Sequence, residues 1–154
     1  MKKILTITLI LITFTLAANP ISITTEQATR NLNNLTYQSA PLHDGTPRML
    51  IQSESGIILG ELTGPPDNLK AISIMFGVTD DKNNLQAIYI HQQLLENLFP
   101  DWQQSSTWYN AALNHIINKD LIAEIDRNQA TITLEKITLQ NHNFISLNID
   151  INPQ

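Results

Sequence analysis

The chain has 154 residues, a formal net charge of -5 and no cysteine. This length is enough for one domain with its own hydrophobic core, and the absence of cysteine excludes disulfides, thiol nucleophiles and thiolate metal sites. The nine Lys and Arg are outnumbered by fourteen Asp and Glu and are scattered, which argues against nucleic-acid binding and against attraction to anionic membranes.

The first eighteen residues have the pattern of a bacterial secretory signal peptide. Lys2 and Lys3 form a positive start, residues 4–16 are apolar, and Ala17 and Ala18 provide a small-residue cleavage context. The apolar run is shorter than the roughly 20 residues that a transmembrane helix needs. We therefore expect export to the periplasm or the extracellular medium, with no stable membrane anchor after cleavage; an uncleaved anchor is the alternative.

After a signal peptide over residues 1–18, residues 19–47 are predicted to form an N-terminal helix and a linker. The helix covers residues 24–35 and begins with a threonine that is a suitable N-cap. Residues 36–47 contain two prolines and an Asp-Gly pair, which are typical of a loop. Residues 48–154 then form a single α+β domain.

Within that domain, the spacing of apolar residues predicts three strands, two helices and three further strands. The helices precede Pro100 and follow Ser105, and the strands cover residues 48–55, 56–64, 70–78, 121–126, 130–139 and 144–151. Strands with one polar face are typical of antiparallel sheets. The fold class is therefore α+β: an antiparallel sheet of about six strands, in the order α-βββ-αα-βββ, with the two central helices packed on one face.

The three N-terminal strands of this sheet carry apolar residues on both faces. Met49, Ile51 and Met75 are assigned to a second apolar set, opposite Leu50 and Ile72. A large apolar surface is either covered within the protein or binds something. We consider three coverings: the N-terminal helix with its loop, a second copy of the chain, and a partner protein or apolar ligand. The three residues of the second set are therefore candidate binding residues.

His91 lies in the apolar face of the first central helix, and His115 lies at the edge of the apolar face of the second. A histidine in such a position is most often hydrogen-bonded to a backbone carbonyl or a hydroxyl, and Tyr89 and Tyr109 are at hand. We predict this structural role for His91. The alternative is a zinc or acid/base site that combines His91, His115 and a carboxylate.

Trp102 and Trp108 belong to an aromatic cluster between the two helices. Such a cluster is expected to hold the corner between the helices together. An exposed Trp102 could instead offer a platform for a partner or a carbohydrate. Both tryptophans are therefore candidate binding residues.

No catalytic motif is present: the sequence has no nucleophile elbow, no glycine-rich phosphate loop and no His-Glu-x-x-His. We predict an exported, non-enzymatic interaction protein, of which a secreted effector acting on a host cell is one form. The alternatives are a carrier of a small apolar ligand, with a cavity beneath Leu94, Leu98 and Trp108, and a metal-dependent hydrolase that uses His91 and His115. No cofactor is implied, the partner is an unknown protein or a small apolar ligand, and the protein is a monomer or a homodimer.

Overall fold

The computed structural model describes residues 22–119 and 122–152. The predicted signal peptide, residues 1–18, lies outside the described residues. In the described part of the chain, no helix is both long enough and apolar enough to cross a membrane.

The described residues form three helices and one antiparallel sheet of seven strands. The helices are α1 (Thr25–Thr29), α2 (Asp81–Leu98) and α3 (Ser105–Lys119). The strands are β1 (Leu35–Ser39), β2 (Arg48–Ser53), β3 (Ile58–Thr63), β4 (Ala71–Gly77), β5 (Ala123–Arg127), β6 (Ala130–Leu139) and β7 (His142–Ile151). The predicted α+β class, with an antiparallel sheet and a pair of central helices packed on one face, is confirmed.

The order of strands across the sheet is β1-β2-β3-β4-β7-β6-β5. Strands β1 to β4 form a meander, and α2 and α3 then carry the chain to the far edge, where β5 begins. Strands β6 and β7 return towards the centre, so that β7 pairs with β4 and Leu147 lies opposite Ile74. The pairing of β4 with β7 therefore joins the N-terminal meander to the C-terminal strands.

The additional strand lies in the segment that was predicted as a linker. Strand β1 pairs with β2, with Tyr37 opposite Ile51. The loop predicted for residues 36–47 is therefore wrong in its first part. Alternation did not reveal β1, because an edge strand with four exposed residues among its five has little apolar pattern to show.

The first helix is shorter than the predicted span of residues 24–35. Thr24 is its N-cap, as expected, and accepts a hydrogen bond from the backbone N–H of Gln27. Asn31 and Asn34 have φ angles of 60° and 63°. This left-handed conformation is incompatible with a continuing helix, and asparagine adopts it more readily than most residues do.

The two C-terminal hairpins turn on pairs of residues with positive φ. The angles are 45° and 67° at Asn128 and Gln129, and 48° and 66° at Gln140 and Asn141. Two consecutive positive φ angles are the signature of the two-residue type I′ turn, whose twist matches that of the flanking strands. Both turns lie in the gaps between the strands predicted from the sequence.

The core lies between the helices and one face of the sheet. Helix α2 buries six residues: Ala87, Ile90, His91, Leu94, Leu95 and Leu98. Helix α3 directs Tyr109, Ala112 and Ile116 inward. The apolar spacing of the two helices predicts Leu85 and Ile117 on their inward faces, but these side chains are 66% and 53% exposed. Both helices are therefore rotated from the orientation that the spacing predicts.

Gly60 in β3 lies where β3 and β4 approach closely. A Cβ atom added to it would lie 2.6 Å from the carbonyl oxygen of Ser73 and 3.0 Å from Cγ1 of Ile74. A side chain at this position would therefore push the two strands apart. Gly77 in β4 is different, because its added Cβ would meet only the ring of Phe144, at 3.6 Å.

We expect Gly60→Ala to lower the free energy of unfolding by about 1–3 kcal/mol, because overpacking of this kind displaces backbone. Gly77→Ala is the matched control, also within a strand, and should change stability by less than about 1 kcal/mol. Urea denaturation of both variants measures the difference. Equal losses would contradict the close approach at Gly60.

Candidate functional site

His91 is fully buried and both of its ring nitrogens are hydrogen-bonded within the protein. Nε2 lies 3.0 Å from the carbonyl oxygen of Ile74, and Nδ1 lies 2.8 Å from the hydroxyl of Tyr109. A carbonyl can only accept, so Nε2 carries the proton and Nδ1 accepts from Tyr109. The predicted role of His91 as a hydrogen-bonded core residue is confirmed, with Tyr109 rather than Tyr89 as the partner.

The surroundings of this pair favour the neutral forms of both rings. Burial lowers the pKa of His91 to about 3, although the hydrogen bond to Ile74 opposes the shift. Burial likewise raises the pKa of the Tyr109 hydroxyl well above its ordinary value. The rings of Phe76 and Tyr109 meet the imidazole edge-on, with centroids 5.3 and 5.7 Å away. His91 is therefore held as a neutral connector rather than as an acid or base.

The structure does not support a joint site of His91 and His115. His115 is exposed on α3, whereas His91 is fully buried and has no ring nitrogen left for a metal. Within residues 22–119 and 122–152, no group of three or more His, Cys, Asp or Glu side chains is placed to hold a metal ion.

The aromatic cluster occupies the corner between α2 and α3. Trp102 is only 8% exposed and meets Phe99 edge-on and the half-buried Trp108 at a centroid distance of 5.4 Å. The guanidinium carbon of Arg127 lies 4.8 Å from the centre of the Trp102 ring, in cation–π geometry. The expected role in holding the corner is confirmed, and an exposed platform at Trp102 is contradicted.

The register separates the three residues that were assigned to the second apolar set. Met49 lies opposite Leu62, which lies opposite Ile72 of the core. Ile51 is in the same row of side chains as Met49 and is 2% exposed. Their predicted position opposite Ile72 is therefore wrong, because the face that one strand presents cannot be related to the next without the register. Only Met75 lies on the other face.

The face of the sheet turned away from the helices, the open face, carries a diagonal band of apolar side chains. We call these six residues the apolar band: Leu50, Leu59, Met75, Phe144, Ile137 and Leu139. Leu59 lies opposite Met75, and Phe144 lies opposite Ile137. Leu59 and Leu139 are 42% and 54% exposed, and the four others are half-buried. The band therefore crosses five strands and remains accessible.

A hydrogen-bonded polar network lies beside the band at the centre of the open face. The hydroxyls of Ser73 and Ser146 donate to Oδ1 of Asn148, at 2.7 and 3.1 Å. Nδ2 of Asn148 donates to Oε1 of Glu135, at 2.9 Å. The network satisfies the polar groups of the central strands and fixes the carboxylate of Glu135 next to the apolar band.

Acidic residues dominate the charges that the strands present on the open face. They are Glu61, Glu124, Asp126, Glu135 and Asp150, which share the side of the sheet with the apolar band. In the described strands, Arg48 is the one Lys or Arg on this side, which it shares with His142 of β7. Arg48 already pairs with Glu61, at 3.4 Å. The open face is therefore apolar along its diagonal and acidic beside it.

Within residues 22–119 and 122–152, no helix covers the open face. Helix α1 lies against α2, where Nδ2 of Asn97 donates to the carbonyl oxygen of Arg30 at 2.6 Å. The predicted covering of the second apolar set by the N-terminal helix therefore does not apply to this face. Leu94 and Leu98, beneath which a carrier cavity was expected, are 0% and 3% exposed and belong to the core.

Sequence reasoning missed five of the six band residues as binding candidates. One signal was available: Phe144 follows the outward parity of Ser146, Asn148 and Asp150 in an otherwise polar strand face. A second signal was available in β6, where the alternation of polar and apolar residues reverses: Lys136 takes an inward position and Ile137 an outward one. The other members depended on the register between strands.

Searches against protein-family models, curated proteins and solved structures find no match for this chain. A fold alone would not identify a function in any case, because function resides in sites. The chemistry of the open face and of the buried histidine is therefore the basis on which a function can be assigned.

We expect stability to fall between pH 7 and pH 5 because of His91. Its pKa of about 3 in the folded protein is lower than the ordinary 6.5, so the unfolded chain takes up a proton there that the folded chain does not. This stabilisation is present above pH 6.5 and is lost as the pH falls towards 3, by about 2 kcal/mol between pH 7 and 5.

Urea denaturation at pH 7, 6 and 5 checks this, with His91→Gln as the comparison, because an amide can both donate to Ile74 and accept from Tyr109. Between pH 7 and pH 5, the free energy of unfolding should fall by about 2 kcal/mol less in the variant than in the parent protein. Exposed histidines are the same in both proteins and cancel. Parallel pH profiles would show that His91 does not carry the dependence.

Proposed function

We propose that this chain is an exported binding protein that holds a partner macromolecule against the open face of its sheet. The observation that carries the proposal is the apolar band, which crosses five strands on a face that no helix of the described part covers. Accessible apolar patches on a folded protein are typical of interaction sites. A sheet held from behind by two packed helices offers this band as a rigid surface.

The chemistry of the described residues favours binding over catalysis. The buried histidine uses both nitrogens within the protein, so it has none available for a substrate. The hydroxyls of Ser73 and Ser146 donate to an asparagine amide oxygen, which is not a base that could activate them. An enzyme that hydrolyses by metal chemistry finds no support in the arrangement of His91 and His115.

Export is the second part of the proposal and is supported by the N-terminal pattern of Lys2, Lys3 and the apolar run over residues 4–16. The absence of cysteine is compatible with an oxidising compartment. A binding protein in the periplasm or the medium would meet partners that cytoplasmic proteins do not, and a host-directed role is one form of this function.

Expression of the full chain in a Gram-negative bacterium tests export. Intact mass spectrometry of periplasmic and medium fractions should find a protein that begins near Asn19. Leu11→Asp interrupts the apolar run, and we expect this variant to stay in the cytoplasm at full mass. Full-length parent protein found only in the cytoplasm would contradict export without bearing on the binding face.

Site-specific photo-crosslinking tests the binding face. A photoreactive phenylalanine analogue placed at position 59 or 75 should form a discrete adduct with a partner in the native cells or medium. The same residue at position 85 or 117 is the matched control, because those side chains are exposed on α2 and α3. Adducts from all four positions alike, or none from 59 and 75, would count against the open face as the site.

A further inference from the structure

The charges of the open face restrict what can bind to its apolar band. Glu124, Glu135 and Asp150 lie on the same side of the sheet as Phe144 and Ile137. Glu135 stands next to Ile137 of the band, whereas Glu124 and Asp150 lie opposite Thr133 and Thr131, four or more residues along the strands from Ile137 and Phe144. The half-buried to exposed carboxylates therefore make the face acidic to one side of the band. Anionic surfaces, such as nucleic-acid backbones and acidic lipid headgroups, would be repelled.

The acidic residues are also left with little compensation from the protein. Arg48 is the only Lys or Arg on this side of the described strands, and its guanidinium is engaged with Glu61 and with the carbonyl oxygen of Ala40. A partner that supplies positive charge would therefore interact favourably with the carboxylates of this face. Charge complementarity of this kind steers association and sets register more than it adds affinity.

The shape of the band indicates a linear partner. Its six side chains follow a diagonal from β2 across β3, β4 and β7 to the end of β6, with pairs in direct opposition at Leu59 and Met75 and at Phe144 and Ile137. A helix or an extended segment with an apolar stripe can lie along such a line. A compact small molecule would cover only part of it.

We propose that the open face binds a cationic amphipathic segment of a partner polypeptide, with the apolar stripe of the segment on the band. Its Lys and Arg face the acidic side of the band, where Glu135 lies nearest and Glu124 and Asp150 lie farther out. This inference rests on the proposed function and specifies the chemistry of its partner. The Asn148 network holds Glu135 in place, so one of the carboxylates that meets the segment is already oriented before binding.

Fluorescence anisotropy with labelled synthetic peptides tests the proposal on the exported protein. The probe is a helical peptide of Leu and Lys with all Leu on one face. Two control peptides replace Lys by Glu or scramble the order of the same residues. We expect measurable binding for the probe only, with an affinity that decreases as salt is raised.

Protein variants locate the contact. Leu59→Asn should weaken binding of the Leu/Lys peptide about tenfold, through loss of apolar burial. The double variant Glu124→Gln, Asp150→Asn should weaken it several-fold and reduce its salt dependence. The matched controls are Leu85→Asn and the double variant Glu96→Gln, Asp101→Asn, all at exposed positions on or after α2, and they should leave binding within about twofold of the parent.

The results separate failure of this inference from failure of the proposed function. Equal weakening by the control variants, equal binding of the Leu/Glu peptide, or binding to vesicles of phosphatidylglycerol in place of the peptide would overturn the cationic segment. If crosslinks still form from positions 59 and 75 in that case, the open face binds a partner of other chemistry. Absence of both peptide binding and those crosslinks would reject both proposals.

Discussion

The hydrogen bonds of His91 are the point on which the arrangement of helices and sheet depends. One ring joins the backbone of the central strand at Ile74, the helix that carries it and the hydroxyl of Tyr109 on the next helix. With both nitrogens engaged and Phe76 against the ring edge, the imidazole admits little rotation or displacement. The hydrogen bond to Nδ1 of His91 gives the hydroxyl of Tyr109 a buried partner, so α3 turns this side chain inward. The hydrogen bond from Nε2 to Ile74 ties α2 to the sheet.

Because the two central helices cover one face of the sheet, the side chains of the other face are not covered by them. The central strands carry two kinds of side chain on this face, polar ones and apolar ones, in neighbouring positions. Ser73, Ser146, Asn148 and Glu135 satisfy one another, whereas Met75, Phe144 and Ile137 remain apolar and accessible. A purely structural two-layer domain needs polar residues on its solvated face, and the C-terminal strands largely follow that rule. The apolar band departs from it along one line, and the proposed binding function rests on that departure.

Much of the fold was predictable, and the errors have a common cause. Alternation in β4, β6 and β7 identified the core face of each strand, and the periodicity of α2 placed His91 among apolar residues. Neither pattern relates one strand to another, so Met49 and Ile51 were assigned to the wrong side. Strand β1 was missed because an exposed edge has almost no apolar alternation, and Leu85 was misplaced because the rotation of α2 follows from the contacts of His91. Local periodicity therefore predicts elements, whereas long-range pairing decides which residues share a site.

The same distinction separates the two histidine alternatives. Sequence spacing allows His91 and His115 to approach, but the rotation that brings Tyr109 to His91 leaves His115 exposed to solvent. Once Tyr109 donates to Nδ1, a metal at that atom would have to displace a buried hydrogen bond and leave a phenolic hydroxyl without a partner, at a cost of about 1–3 kcal/mol. The buried polar contacts thus serve to hold a scaffold in one conformation. A scaffold fixed in this way loses little entropy when it binds, which suits a protein whose accessible chemistry lies on the opposite face of its sheet.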